Sequence, residues 1–249
     1  MKKTLINDYL EYLKLEHMQQ NCRSLAKEAA QKSWDYLDYL EKLLEGETLL
    51  RKDKGVQRRI HAARFPMIKT LEEFLWDFPK KINRLQVQNL FRLEFIPEKA
   101  NVVFLGNVGL GKTHLAIALG YAACLKGYRV LFTTAIEMIN TLQAAQKTSS
   151  LQSALKKYLK PDVLILDELG YLPIDRKGAN LLFCLISRRY QNNSIIFTTN
   201  KAFNKWGPLF DNDDQIASAA LDRLLHKAEV IVIEGTSFRM KDKLKDGVI

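Results

Sequence analysis

Gly106-Asn107-Val108-Gly109-Leu110-Gly111-Lys112-Thr113 follows the apolar run Val102 to Leu105 and precedes a stretch in which Leu115, Leu119, Ala122 and Ala123 recur at helical spacing. The spelling G-x-x-x-x-G-K-[ST] between a strand and a helix is that of a phosphate-binding loop. Glycines without Cβ let successive backbone N–H groups turn inward on phosphate oxygens, and the helix that follows adds its unpaired N–H groups and positive dipole end. On this reading Gly106 to Gly111 cradle the phosphates through the backbone, Lys112 reaches the β- and γ-phosphates as a point charge, and Thr113 places its hydroxyl on Mg²⁺. His114, next in line, is expected to contribute its backbone only.

Working outward, Val163-Leu164-Ile165-Leu166 ends in Asp167-Glu168 about fifty residues downstream. Two carboxylates at a strand's C-terminal end emerge beside the phosphate loop. Asp167 suits Mg²⁺, directly or through water, and Glu168 suits a general base for the attacking water. A third run, Ile195 to Thr199, ends in Asn200. An Asn there is by itself a turn former, and its reading as a hydrogen-bonding partner of the γ-phosphate or of the water rests on the other two motifs.

Five apolar runs, Val102 to Leu105, Val130 to Phe132, Val163 to Leu166, Ile195 to Thr198 and Val230 to Ile233, each have strand length and alternate with helix-period stretches such as Leu181, Leu182, Leu185 and Ile186. This alternation predicts an α/β fold, a parallel sheet flanked by helices. Residues 4 to 50 instead read as helices: Leu5, Tyr9, Tyr12, Leu13 and then Tyr36, Leu37, Leu40, Leu43, Leu44 recur every three or four positions. The expected organisation is a small helical N-terminal domain over 1–66, a connector over 67–100 and the nucleotide-binding core over 101–249. The connector carries Phe74, Trp76 and Phe78, too aromatic for a free linker, and is expected to pack on the core.

The 249 residues carry 38 Lys and Arg against 28 Asp and Glu, a formal +10 that favours a polyanionic partner. The densest basic stretch, 51–69, holds Arg51, Lys52, Lys54, Arg58, Arg59, Arg64 and Lys69 against a lone Asp53, and Pro66 is expected to end its helix. It reads equally as a nucleic-acid surface or as a solvated helix face. Three widely spaced cysteines, Cys22, Cys124 and Cys184, suggest neither a disulfide framework nor a zinc site, and no run of 18 apolar residues is present. A soluble cytoplasmic protein without membrane association is expected.

Several of these lines together resemble the IstB-type helper ATPases of bacterial insertion sequences, members of the AAA+ superfamily beside the DnaC-type helicase loaders. They are Lys69-Thr70-Leu71-Glu72-Glu73-Phe74, the phosphate loop with Phe104-Leu105 before it and His114-Leu115-Ala116 after it, and Leu164 through Asp167-Glu168-Leu169-Gly170-Tyr171-Leu172-Pro173. The tract Ala220-Leu221-Asp222-Arg223-Leu224-Leu225-His226 and the run Ile231 to Arg239 complete them. The resemblance implies a P-loop AAA+ ATPase that uses ATP and Mg²⁺, engages duplex DNA, oligomerises with ATP and DNA, and stimulates a cognate transposase; the net +10 and the basic run 51–69 add the expectation that this DNA binding is largely independent of sequence. Arg223 matches the arginine that completes a neighbouring subunit's ATP site in such assemblies. The chain departs from the pattern in Asn107-Val108, where the family often has Pro, a change confined to backbone contributors. Sixteen residues follow Ile233, which implies a truncated lid. Arg239 is then the candidate for a second sensor arginine, and reads better as a DNA or interface contact. Two other readings stay open: a helicase loader of the DnaC type, and a nucleotide-regulated DNA-binding module whose hydrolysis is incidental.

Overall fold

The five apolar runs become five parallel strands: β1 (Asn101–Gly106), β2 (Val130–Thr134), β3 (Val163–Asp167), β4 (Ser194–Thr199) and β5 (Ala228–Ile233), in the order β2-β3-β4-β1-β5. The register pairs Leu105 with Thr199 and Leu166 with Phe197. Because all five run the same way, the ends of β1, β3 and β4 open on one edge of the sheet. That edge receives the phosphate loop, the Asp167-Glu168 pair and Asn200. The computed structural model describes residues 5–171 and 174–238, so Arg239 lies outside the described residues.

Alternate residues of each strand enter two different cores, which is why the runs are apolar throughout rather than alternating. Val102 and Phe104 of β1 face α5 (Lys112–Leu125), whose Leu115, Ile117 and Leu119 are buried with them. Val103 of β1, with Leu164 and Leu166 of β3, faces the helices of the other layer. These are α6 (Ala135–Lys147), α7 (Leu151–Leu159), α8 (Arg176–Arg189) and α9 (Asp214–Leu225), joined in this core by Trp206 and Phe210. The first core also takes Phe74, Val87 and Leu90 from the segment before β1, which includes α4 (Arg84–Leu90). The aromatic connector therefore packs on the sheet layer.

The opposite edge of the sheet is closed by Arg189, 1% exposed. Its guanidinium donates to the carbonyls of Tyr158 (2.7 Å), Pro161 (3.1 Å) and Ser194 (2.6 Å), satisfying acceptors where α7, α8 and β4 meet. Burial pushes its pKa down to about 9, with Asp162 acting against that fall.

The chain divides into two units, residues 1–58 and 59–249. In the first, α1 (Leu5–Tyr12), α2 (Glu16–Lys32) and most of α3 (Tyr36–Ala63) surround a small core of Met18, Cys22 and Leu43. Glu47 is buried and accepts from the backbone N–H of His17 (2.9 Å) and Met18 (3.4 Å), so a carboxylate from α3 caps the start of α2. Of the periodic apolar residues that mark these helices, only Leu43 is buried. Tyr12, Tyr36 and Leu37 are exposed, because three short helices cannot cover every apolar stripe. The helix α3 ends at Ala63, three residues ahead of Pro66, where Arg64 takes a left-handed φ of 59°. No disulfide joins the described cysteines, and among the described residues no helix is long and apolar enough to cross a membrane.

Candidate nucleotide site

The phosphate loop leaves β1 at Gly106 and enters α5 at Lys112, with Gly109 and Gly111 at φ 77° and 84°, a region that residues with a Cβ adopt only with strain. At Gly111 the requirement is double, since a Cβ there would sit 2.6 Å from Cε2 of Phe74. Lys112 is 4% exposed; its Nζ donates to the Asn107 carbonyl (2.7 Å) and stands 5.9 Å from the centre of the Tyr171 ring. A cation turned back on its own loop marks the space where an anion would draw it. Val108 is exposed and Leu110 buried, so the two side chains between the glycines point to solvent and to the core.

Thr113 Oγ1 donates to Asp167, 2.9 Å from Oδ1 and 3.1 Å from Oδ2, linking the first turn of α5 to the end of β3. From β4, Thr198 donates its hydroxyl to Asp167 Oδ1 (2.6 Å) and accepts from the backbone N–H of Glu168 (2.9 Å). Asp167 is buried, yet among the described residues it has hydroxyl partners and no ion pair. Glu168 takes φ 58°, a strained conformation for a residue with a side chain, and its side chain is exposed at the cleft. Asn200 follows the end of β4, and its Oδ1 is buried without a hydrogen-bond partner among the described residues.

The cleft above the loop has a volume of about 490 Å³. One side is formed by the phosphate loop with Thr113, Glu168 and Tyr171, the other by Pro66, Met67, Phe74, Leu75 and Phe78. The chain after β5 also reaches the loop: the Phe238 N–H donates to the Gly109 carbonyl (3.0 Å), and the Phe238 ring meets Phe78 edge-on at 4.8 Å.

The donor set fits a triphosphate and a hard divalent cation. No group of three His, Cys, Asp or Glu that could hold a metal occurs among the described residues. A cation at Thr113 and Asp167 would therefore complete its shell with phosphate oxygens and water, as Mg²⁺ does.

The structure thus brings Gly106 through His114, Asp167, Glu168 and Asn200 to one edge of the sheet. Arg223 is elsewhere. It lies in the last turn of α9, donates to the Ala219 carbonyl (2.8 Å), and its guanidinium stands 5.1 Å from the Phe183 ring centre. It borders a pocket with Asn101, Ile195 and Lys227, at the starts of β1, β4 and β5, the edge opposite the phosphate loop. Of the basic run, Arg51 pairs with Glu47, Lys54 with Glu16 and Lys69 with Glu73, while Arg59 Nε donates to the Cys124 carbonyl (2.9 Å). Lys52, Arg58 and Arg64 are exposed outside any ion pair of the described residues.

Sequence reasoning missed two features. Thr198 was legible only as a polar residue closing an apolar run, and the hydrogen bond that gives it meaning crosses between strands. His114 was expected to act through its backbone, whereas its ring Nε2 lies 2.8 Å from the Thr70 carbonyl.

The family model for IstB-like ATP binding proteins matches residues 9–246. A protein of Pseudomonas aeruginosa named for insertion sequence IS21 and ATP binding is 44% identical over 240 residues, covering 96% of this chain and 90% of its own. A counterpart from Geobacillus stearothermophilus, named for insertion sequence IS5376 and ATP binding, is 36% identical over 97% of this chain and 96% of its own. Among solved structures, AMPPCP-bound DnaA from Aquifex aeolicus superposes with a TM-score of 0.55 at 26% identity over 73% of this chain and 56% of its own. The DnaC helicase loader does so with a TM-score of 0.55 at 24% identity over 66% of this chain and 96% of its own. The fold is that of the P-loop AAA+ proteins, and the chain belongs to the IstB-like ATP-binding protein family.

Proposed function

We propose that the protein is an Mg²⁺-dependent ATPase of the cytoplasm that assembles on duplex DNA and stimulates the transposase of its insertion sequence. The observation that carries the catalytic part is the Thr113–Asp167–Thr198 network beside a phosphate loop, with Glu168 exposed at the same cleft. The part concerning transposition is supported by relatives named for insertion sequences at 44% and 36% identity. Similarity to the DnaC loader, at 24% identity, speaks to fold and gives the loader reading no support of its own.

In the proposed reaction the loop's N–H groups and Lys112 hold the β- and γ-phosphates, Lys112 exchanging the Asn107 carbonyl for phosphate oxygens. Thr113 and Asp167 would hold Mg²⁺, which when bound would supply positive charge to the phosphate oxygens. Glu168 accepts the proton of the attacking water, its backbone fixed by Thr198. Asn200, whose buried Oδ1 has no partner among the described residues, is placed to accept a hydrogen bond from that water. Lys112→Ala is expected to remove nearly all ATP binding in a calorimetric titration. Glu168→Gln should bind ATP within a few-fold of the wild type and hydrolyse it at least about a hundredfold more slowly. Hydrolysis by Glu168→Gln at the wild-type rate would exclude Glu168 as the base.

For DNA, the reading rests on the net charge of +10 and on Lys52, Arg58 and Arg64, the exposed cations of the basic run that lie outside any ion pair of the described residues. Neutralising Lys52, Arg58 and Arg64 together should weaken binding to unrelated duplexes alike. Fewer counterions would then be released, and the slope of log affinity against log salt should shrink by about 2 to 3. An unchanged slope would move the DNA surface away from 51–69. Arg59 is left out because it is bonded to the Cys124 carbonyl.

Arg223 stands at the sheet edge away from its own phosphate loop, so a role at an ATP site requires a second subunit. A cation delivered in trans stabilises charge on the transferred phosphoryl group and is worth about 10³ or more in rate. Arg223→Ala should retain ATP binding and lose most hydrolysis. Mixed with Lys112→Ala, which keeps Arg223, it should regain part of the activity, because the mixed interface pairs an intact loop with an intact arginine. No recovery in mixtures that light scattering shows to co-assemble would remove Arg223 from the neighbour's site.

A further inference from the structure

The phosphate chemistry leaves one wall of the cleft, residues 66–79, without a role. It is pinned to the phosphate side at two points. The Thr70 carbonyl lies 2.8 Å from His114 Nε2, and since a carbonyl only accepts, that nitrogen carries the hydrogen. The buried Phe74 ring stands edge-on to His114 at 5.4 Å and to Trp76 at 5.0 Å, and fills the space that a side chain on Gly111 would need. His114 directly follows Lys112 and Thr113, so the helical turn that serves the phosphates also carries the pin of the facing wall. That wall offers Met67 and Leu75 at the cleft, 56% and 59% exposed, beside Pro66 and Phe78. Apolar side chains left open on a cleft wall are completed by a flat apolar group, and in a nucleotide that group is the base.

We infer that His114 is the positioning residue for base recognition: its hydrogen bond to Thr70 fixes the apolar wall at the height above the phosphate loop that a bound base requires. This rests on the proposal that the cleft binds ATP. The consequence is a preference for ATP over a bare triphosphate that depends on a residue with no phosphate to contact through its ring. His114→Phe keeps an aromatic ring against Phe74 and removes the donor. His114→Gln restores a donor at comparable reach.

The test is calorimetric titration of the full chain with ATP and with inorganic tripolyphosphate, both with Mg²⁺, for the wild type and these variants. The preference, the tripolyphosphate Kd divided by the ATP Kd, should fall about tenfold in His114→Phe, the size expected for one lost hydrogen bond. It should return to within about threefold of the wild type in His114→Gln. Phe74→Leu, which loosens the same wall without altering His114, should lower the preference too, and takes the place of His114→Phe if that variant does not fold. A wild-type preference in His114→Phe, or in Phe74→Leu standing in for it, overturns the inference. So does an equal fall in His114→Phe and His114→Gln. Failure of the wild type to bind ATP at all would instead strike the proposal beneath it.

Discussion

A buried carboxylate outside an ion pair is costly, and Asp167 is 5% exposed with the hydroxyls of Thr113 and Thr198 as its side-chain partners among the described residues. The same contact ties three elements together, since Thr113 belongs to α5, Asp167 to β3 and Thr198 to β4. The position of the phosphate helix relative to the sheet thus depends on a charge that the fold itself only partly compensates. Such a group has a stake in a divalent cation arriving with its anionic ligand. Glu168 inherits its place from this arrangement, because Thr198 donates to Asp167 and accepts from the next residue's N–H.

The parallel sheet gives the two edges different chemistry. One edge collects the glycine loop, the carboxylates and an Asn200 oxygen without a hydrogen-bond partner among the described residues. The other is closed by a buried arginine stitched to backbone carbonyls, with Arg223 beside it on a stacked and hydrogen-bonded platform. With a phosphate loop on one edge and Arg223 on the other, head-to-tail association would set the arginine edge of one copy against the phosphate edge of the next. On that geometry the proposed role of Arg223 depends on assembly.

The sheet was legible because β1 to β4 are buried on both faces, so that composition alone marks them, while β5 at the edge of the order buries Ile231 and Ile233 and leaves Val232 exposed. The phosphate loop and the Asp167-Glu168 pair were legible because their chemistry depends on local spelling. Thr198 and the His114–Thr70 contact were not, since each works through a partner 31 or 44 residues distant in the chain, and nothing in the local pattern encodes that distance. The helical region before residue 58 was readable as helix from its spacing and misleading as to its interior: Tyr36 and Leu40 carry the period, but Met18 and Cys22 fill the core with Leu43. The basic run divides in the same way, because ion pairs and the Cys124 carbonyl claim four of its seven cations.

The central claim, that the charge on Asp167 is what recruits Mg²⁺ to the nucleotide, is tested most directly by measuring ATP affinity with and without Mg²⁺ in the wild type and in Asp167→Asn. The substitution keeps the side chain's shape and an oxygen able to accept from Thr113 or Thr198, and it removes the charge. The account predicts that Mg²⁺ tightens ATP binding in the wild type, and that this gain is lost in Asp167→Asn while Mg²⁺-free binding is kept or improved. An equal gain from Mg²⁺ in both proteins would contradict it.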